Sequence, residues 1–170
     1  NRNFLKAEHR LITTGVSERG LCASLMCHLK TKVEASKFPT YAVDVEYNRN
    51  AGRPKEILSN AVIRRITCDL IIHSRGQNYQ QDNLLALEMK RSTHGRKAKE
   101  KDRERLQCLT KSNFDDERVN DGTSLPRYVC GYVIGVYYEI NLPEEKVCIT
   151  YYANGEKRES TEMSFQLPLG

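Results

Sequence analysis

Two hydrophobic rhythms alternate along the chain. In "SERGLCASLMCHLKTKV" apolar residues recur at spacings of three and four, through Leu21, Cys22, Leu25, Met26 and Leu29. That is the stripe of an amphipathic helix. Ser17, just ahead of the stripe, is a natural N-cap. Residues 2–12 predict a shorter helix, broken at "TTG". "YAVDVEYNR" (41–49) then alternates with a period of two, Val43, Val45 and Tyr47 against Asp44, Glu46 and Asn48. Residues 50–66, with Gly52 and Pro54, predict a loop with a short helical turn.

"CDLIIHSR" (68–75) and "NLLALEMKR" (83–91) predict an antiparallel hairpin with a generous polar loop. Residues 96–111 predict a helix whose inward face is Ala98, Asp102, Arg105, Leu106 and Leu109. "YVCGYVIGVYYEI" (128–140) and "KVCITYYA" (146–153) predict strands, and Asn154-Gly155 predicts a tight turn into a last strand around 157–167. The order α-β-β-β-α-β-β-β implies an α+β fold with a mixed or mostly antiparallel sheet flanked by helices. No repeat or linker divides the 170 residues, so one domain is expected.

Several charges interrupt these patterns. Alternation puts Ala86, Glu88 and Lys90 on one face of their strand, with Glu88 and Lys90 about 7 Å apart. Asp69 shares a face with Ile71 and His73, and normal hairpin pairing brings it beside Glu88. Glu18 falls on the helical stripe, one turn ahead of Leu21 and Cys22. Adjacent buried carboxylates do not both stay ionised without a cation between them. An ion pair with Lys90 would satisfy Glu88 alone, whereas a hard divalent ion such as Mg²⁺ would serve all the carboxylates.

The formal charge of +5 is concentrated. Residues 90–111 hold nine Lys or Arg and three acids, a net of +6 that leaves −1 for the rest of the chain. Such a segment suits a polyanion partner or, equally, a solvated helix laced with Lys–Glu pairs. The six cysteines show no CxxC spacing and sit mostly among aliphatic residues. They read as reduced thiols of a cytoplasmic protein rather than disulfides or a zinc site. No apolar run reaches the length of a membrane span, and the polar amino end does not read as a signal peptide. The chain opens on Asn1 without Met and reads as a trimmed chain or fragment.

Asp69 followed by Glu88-Met89-Lys90, after a helix carrying Glu18 and before a basic helix, resembles the PD-(D/E)XK nuclease superfamily, in an uncharacterised bacterial branch. "VDVEYNR" and "NLLALEMKRS" are the phrases most similar to it. The resemblance implies a restriction-endonuclease-like α-β-β-β-α-β core over residues 17–140, with residues 1–14 as a helical arm and 141–170 as added antiparallel strands. It implies a Mg²⁺-dependent nuclease, with Mn²⁺ as a substitute, acting on DNA more than on RNA, with a homodimer as one arrangement. Asp69, Glu88 and Lys90 would be catalytic, and Asp69, Glu88, the Met89 carbonyl and Glu18 would hold the metal. Cys68 departs from the pattern, standing where the family has proline.

Around this core the alternatives stay open. Asp102 and Arg105 support the site or simply pair with each other at i,i+3. Glu46 looks into the site or into water, and His73 is an outer contact or a structural histidine. Arg91, Arg96, Lys97, Lys99 and Lys101 would meet nucleic-acid phosphates in a salt-sensitive way. The Tyr pairs at 137–138 and 151–152 could stack bases but fit core packing better. A nuclease-like module that binds nucleic acid or protein without cutting is the alternative function, and a purely structural α+β domain a third.

Overall fold

The computed structural model describes residues 2–50, 52–59, 62–112 and 125–165. Helices α1 (Arg2–Ala7), α2 (His9–Thr13) and α3 (Glu18–Glu34) come first. Then come strands β1 (Ala42–Tyr47), β2 (Arg49–Asn50), β3 (Arg53–Pro54), β4 (Glu56–Ser59), β5 (Val62–Arg65), β6 (Cys68–His73) and β7 (Asn83–Arg91). Helix α4 (Arg96–Thr110) leads to β8 (Ile134–Asn141), β9 (Lys146–Ala153) and β10 (Glu156–Ser164). One sheet of six strands runs in the order β1-β6-β7-β8-β9-β10. Its β7–β8 pair is parallel and the others antiparallel, so the sheet is mixed as expected. The parallel step follows from α4, a helical crossover between the two strands.

Each face of the sheet has its own core. On one side α1, α2 and α3 bring Phe4, Leu5, Ile12, Leu21, Cys22 and Leu25 onto Leu70, Leu87, Met89, Val136 and Ile140. On the other, α4 brings Leu106 and Leu109 onto Ile71, Ala86, Tyr137 and Tyr152, with Ile57 and Ile66 closing the flank. Gly135 permits α4 to lie close, since a Cβ there would stand 3.0 Å from Thr110 Cγ2 and 3.2 Å from Tyr152 Cβ. Ser17 caps α3 as expected, its Oγ accepting from Gly20 N at 3.2 Å. Asn154 and Gly155 both take positive φ, 55° and 77°, which is the turn that the β9–β10 hairpin needs.

Four expectations are corrected. The helical arm is not an arm, because Phe4, Leu5 and Ile12 belong to the core. Residues 50–66 are not a loop with a helical turn; they form two small antiparallel hairpins, β2–β3 and β4–β5. The strand expected from 128 begins only at Ile134; Gly131, at φ 71°, turns the chain first, and Tyr128 keeps a single bridge to Glu56. Ala98 is exposed rather than inward. The last strand ends at Ser164, and the end of its expected range lies outside the described residues.

The alternation of β1 also breaks. Val43 and Val45 face the α3 side, yet Tyr47 packs on the α4 side. Opposite it, Leu70 and Cys68 switch faces in the same way. The switch is located by Glu46, whose φ of 52° shifts the side-chain parity by one residue. Asp69 stands across from Glu46 in the register set by the Val45–Leu70 and Tyr47–Cys68 pairs.

Candidate functional site

This break opens the site. The β6–β7 pairing runs from His73–Asn83 to Leu70–Leu87 and stops there. Beyond it, the edge of β7 that faces β6 loses its partner strand. The amides of residues i and i+2 point to the same edge, so Met89 N–H and Arg91 N–H are both left there. Two carboxylates take them. Asp69 Oδ2 accepts from Met89 N at 2.8 Å, and Glu18 Oε1 accepts from Arg91 N at 2.7 Å. The Met89 carbonyl points to the same edge as its amide.

Glu88 and Lys90 project from β7 toward α4. Glu88 is 1% exposed, and its Oε2 accepts from Arg105 Nη1 at 2.7 Å. Its other oxygen, Oε1, is buried without a hydrogen-bond partner among the described residues. Lys90 Nζ lies 3.1 Å from Asp102 Oδ2 and 3.5 Å from Glu18 Oε2. Arg105 Nη2 is 3.5 Å from Asp102 Oδ1, and Nη1 also donates to the Thr67 carbonyl. His94 Nδ1 lies at the rim, 3.2 Å from Glu18 Oε1. Thus Glu18, Asp69, Glu88, Lys90, Asp102 and Arg105 come together from α3, β6, β7 and α4.

The charges in this cluster do not cancel. Four carboxylates share Lys90 and Arg105, which ion-pair with Glu18, Glu88 and Asp102, while Asp69 is held by the Met89 N–H. Ionised together, the four would leave two negative charges unmatched, with His94 at the rim. The electrostatics follow. Burial pushes the Asp69 carboxyl up, against the Met89 N–H bond and Lys90, which pull it down. Burial pushes Glu88 well above the usual carboxylate range, beyond what Arg105 restores. Burial alone would lower Lys90, yet Asp102 and Glu18 outweigh it and raise its pKa. The ammonium is therefore firmly charged.

Other expected residues fall elsewhere. His73 is 3% exposed and bonded through Nε2 to Asp44 Oδ2 at 2.9 Å, four residues along β6 from Asp69. It is a structural histidine, not an outer contact of the site. Glu46 lies at the mouth but is gripped by Arg19, at 3.1 and 3.3 Å. Asp102 and Arg105 satisfy both of their readings: they pair with each other and with the cluster.

The expected phosphate contacts divide. Lys97 and Lys101 are exposed. Arg96 is exposed but paired to Glu100 at 2.6 Å. Lys99 is held by Glu139 and the Ser92 carbonyl, and Arg91 turns its guanidinium to the Val16 carbonyl. Neither of those two is presented to a ligand. Glu139, absent from the sequence reading, anchors both Lys99 and Arg103. It lies on the same face of β8 as Tyr137, beside Lys90 in a parallel register that only the assembled sheet fixes.

Tyr137, Tyr138 and Tyr152 are core residues. All six cysteines are free thiols, four of them buried. Among the described residues no three His, Cys, Asp or Glu side chains converge closely enough to hold a metal ion as they stand. No helix among those residues is long and apolar enough to cross a membrane. No protein-family model, curated protein or solved structure matches the chain.

Proposed function

We propose that the chain is a metal-dependent phosphodiester hydrolase acting on nucleic acid, DNA above RNA, with its active site at the Glu18–Asp69–Glu88–Lys90 cluster. One observation carries the reading. Four carboxylates crowd two cations where β6 leaves β7, and a buried oxygen of Glu88 goes without a donor. A purely structural ion-pair network gains nothing from two unbalanced charges and an unsatisfied acceptor. The order α3-β1-β6-β7-α4-β8, with β8 parallel to β7, also supports a restriction-endonuclease-like core.

The residues fit a hard divalent ion. Oxygen donors, surplus negative charge and an orphan carboxylate oxygen are what Mg²⁺ takes. Asp69, Glu88 and the Met89 carbonyl would hold it, with Glu18 at the side. When bound, such an ion polarises a phosphate and lowers the pKa of a coordinated water. The chain's own groups do the rest. Lys90, charged and tethered between Asp102 and Glu18, would meet a phosphate oxygen or orient the attacking water. Asp102 holds Lys90 in place, and Arg105 shields Glu88 from the repulsion of its neighbours. Cutting both strands in one encounter would call for two such chains.

The test uses plasmid and linear duplex DNA with and without Mg²⁺, beside Glu88→Ala and Lys90→Ala. Cleavage by the unaltered chain, lost in both variants, is the expected result. Cleavage that survives both changes removes the assignment. The non-cutting module has one observation in its favour, the engagement of Lys90 and Arg105 with carboxylates. It predicts nucleic-acid binding with no Mg²⁺ site sensitive to Glu88→Ala in a calorimetric titration.

A further inference from the structure

The chain carries a second concentration of positive charge. Residues 49–65 hold Arg49, Arg53, Lys55, Arg64 and Arg65 against Glu56 alone, a net of +4. Lys55 is an anchor, 2% exposed, its Nζ donating to Tyr132 Oη at 2.8 Å between the Tyr47 and Tyr132 rings. It fixes the base from which β4 and β5 extend. Within that ribbon β4 is the inner strand, with Ile57 and Ser59 buried. β5 is the outer one. It begins with Val62 and Ile63, 51% and 46% exposed, and ends with Arg64 and Arg65.

Two aliphatic side chains left in water, one on each face of β5 and each beside an arginine, need a reason beyond packing. The arginines have partners that hold them loosely: Arg64 lies 3.8 Å from Glu104, and Arg65 lies 3.6 Å from Glu56 with its side chain 78% exposed. Such exposed pairs are weak, and a phosphate competes with them readily. The ribbon also flanks the cluster. Glu104 precedes Arg105 on α4, and Arg65 stands four residues before Asp69, at most about 13 Å along the chain.

We propose that the β4–β5 ribbon is the arm that seats duplex nucleic acid beside the cluster, its outer strand edge-on in a groove. Val62 and Arg64 lie on one face of β5 and Ile63 and Arg65 on the other, so the aliphatic side chains meet the two groove walls and the arginines the flanking backbone phosphates. The proposal rests on the nuclease reading for its choice of polyanion. The ribbon's composition selects the duplex. Apolar aliphatic wedges engage grooves, whereas single strands are held on aromatic platforms, and "EILSNAVIRR" contains no aromatic residue.

The experiment measures binding of the full chain, with chelator present, to a fluorescent duplex, its single strand and heparin. Arg64→Gln/Arg65→Gln should weaken duplex binding about tenfold near 0.1 M salt. It should also flatten the slope of log affinity against log salt by about 2. Val62→Ser/Ile63→Ser should weaken duplex binding about threefold or more, with that slope and heparin binding unchanged. Unchanged duplex affinity in both variants overturns the proposal, as does tighter binding of the single strand by the unaltered chain. If a double variant fails to fold by thermal melting, the exposed single change Arg65→Gln carries the test, with a slope change of about 1 expected. Cleavage is read in its own assay, in Mg²⁺ without chelator, so the two readings fail separately. Ribbon-dependent binding without cleavage in Mg²⁺ removes the nuclease alone. Normal cleavage and binding with both ribbon pairs substituted removes the arm alone.

Discussion

Two ionic clusters lie at opposite ends of β6, and they are built on different principles. At the end near His73, Asp44 receives Arg75 through two hydrogen bonds of 2.8 and 2.5 Å and His73 through a third. The Arg75 guanidinium outweighs burial and holds the Asp44 carboxyl below its ordinary range. His73 is in turn pushed down by burial and so favours the neutral form. One acid is matched by one cation and a neutral donor. At the Asp69 end burial dominates, and both Asp69 and Glu88 are pushed up. The first cluster is complete as a structural device, and the second would hold, once its acids ionise, negative charge that its own residues leave unmatched. Polar residues in an apolar strand therefore say little by themselves; the charge balance around them separates support from function.

The widest separation between the two clusters should appear in catalysis. Glu88→Ala or Lys90→Ala should lower phosphodiester cleavage by about 10² to 10³-fold. Asp44→Ala should leave turnover of the folded protein nearly unaltered. Equal losses at both ends, measured in one plasmid-relaxation assay, would mean that the cleavage depends on the fold and not on the cluster.

Mg²⁺ should distinguish the clusters next. A ligand that binds only the folded state stabilises it by about 2.7 kcal/mol at a hundred times its dissociation constant. The melting midpoint of the unaltered chain, and of Asp44→Ala, should rise with Mg²⁺. That of Asp69→Asn/Glu88→Gln should not. A rise of the same size in the double variant would place the ion elsewhere.

In the absence of metal the ranking reverses. Asp44→Ala leaves the buried His73 without its acceptor and should cost about 2 kcal/mol. Arg75 adds little, because its side chain is 55% exposed and screened. For a chain of this size that is a fall of roughly 4–8 °C in the melting midpoint. A fall of less than a degree would show that the Asp44 cluster is ornamental.

Much of this arrangement could be read from residue order. The period of the α3 stripe, the hairpin of β6 with β7 and the Asn154-Gly155 turn each rest on local chemistry, and each formed where expected. The acid–lysine set was legible because alternation put Glu88 and Lys90 on one face. Three features were hidden for physical reasons. The face switch depends on a positive φ at Glu46, which no pattern of apolar residues announces. The β4–β5 ribbon is short, and its outer strand is exposed, so it carries no alternation to detect. The capture of Lys99 by Glu139 depends on the parallel register of β7 and β8, which only the assembled sheet fixes.

The finest contrast lies in pH dependence, and the sign differs between the two ends. Asp69 and Glu88 have folded values above their ordinary 3.8 and 4.5. Below those ordinary values both stay protonated whether folded or not, and the fold bears no penalty. As pH rises through the raised values, the unfolded chain ionises first and stability is lost. Asp44 runs the other way: its lowered value gives stability that is present above 3.8 and lost as pH falls through the folded value. Metal-free protein should therefore lose stability as pH rises above the ordinary carboxylate range and through the raised values. Asp69→Asn, which keeps an acceptor for the Met89 amide, should reduce that loss without lowering the acid-side midpoint. Asp44→Ala should lower stability across neutral pH and flatten the acid-side decline. Adding Mg²⁺ to the unaltered chain should flatten the neutral-side decline, since a cation relieves the cost of ionising the pair. If Asp69→Asn instead destabilises the protein at every pH, Asp69 serves as an edge cap for β7, and the surplus charge assigned to it has no bearing on a metal.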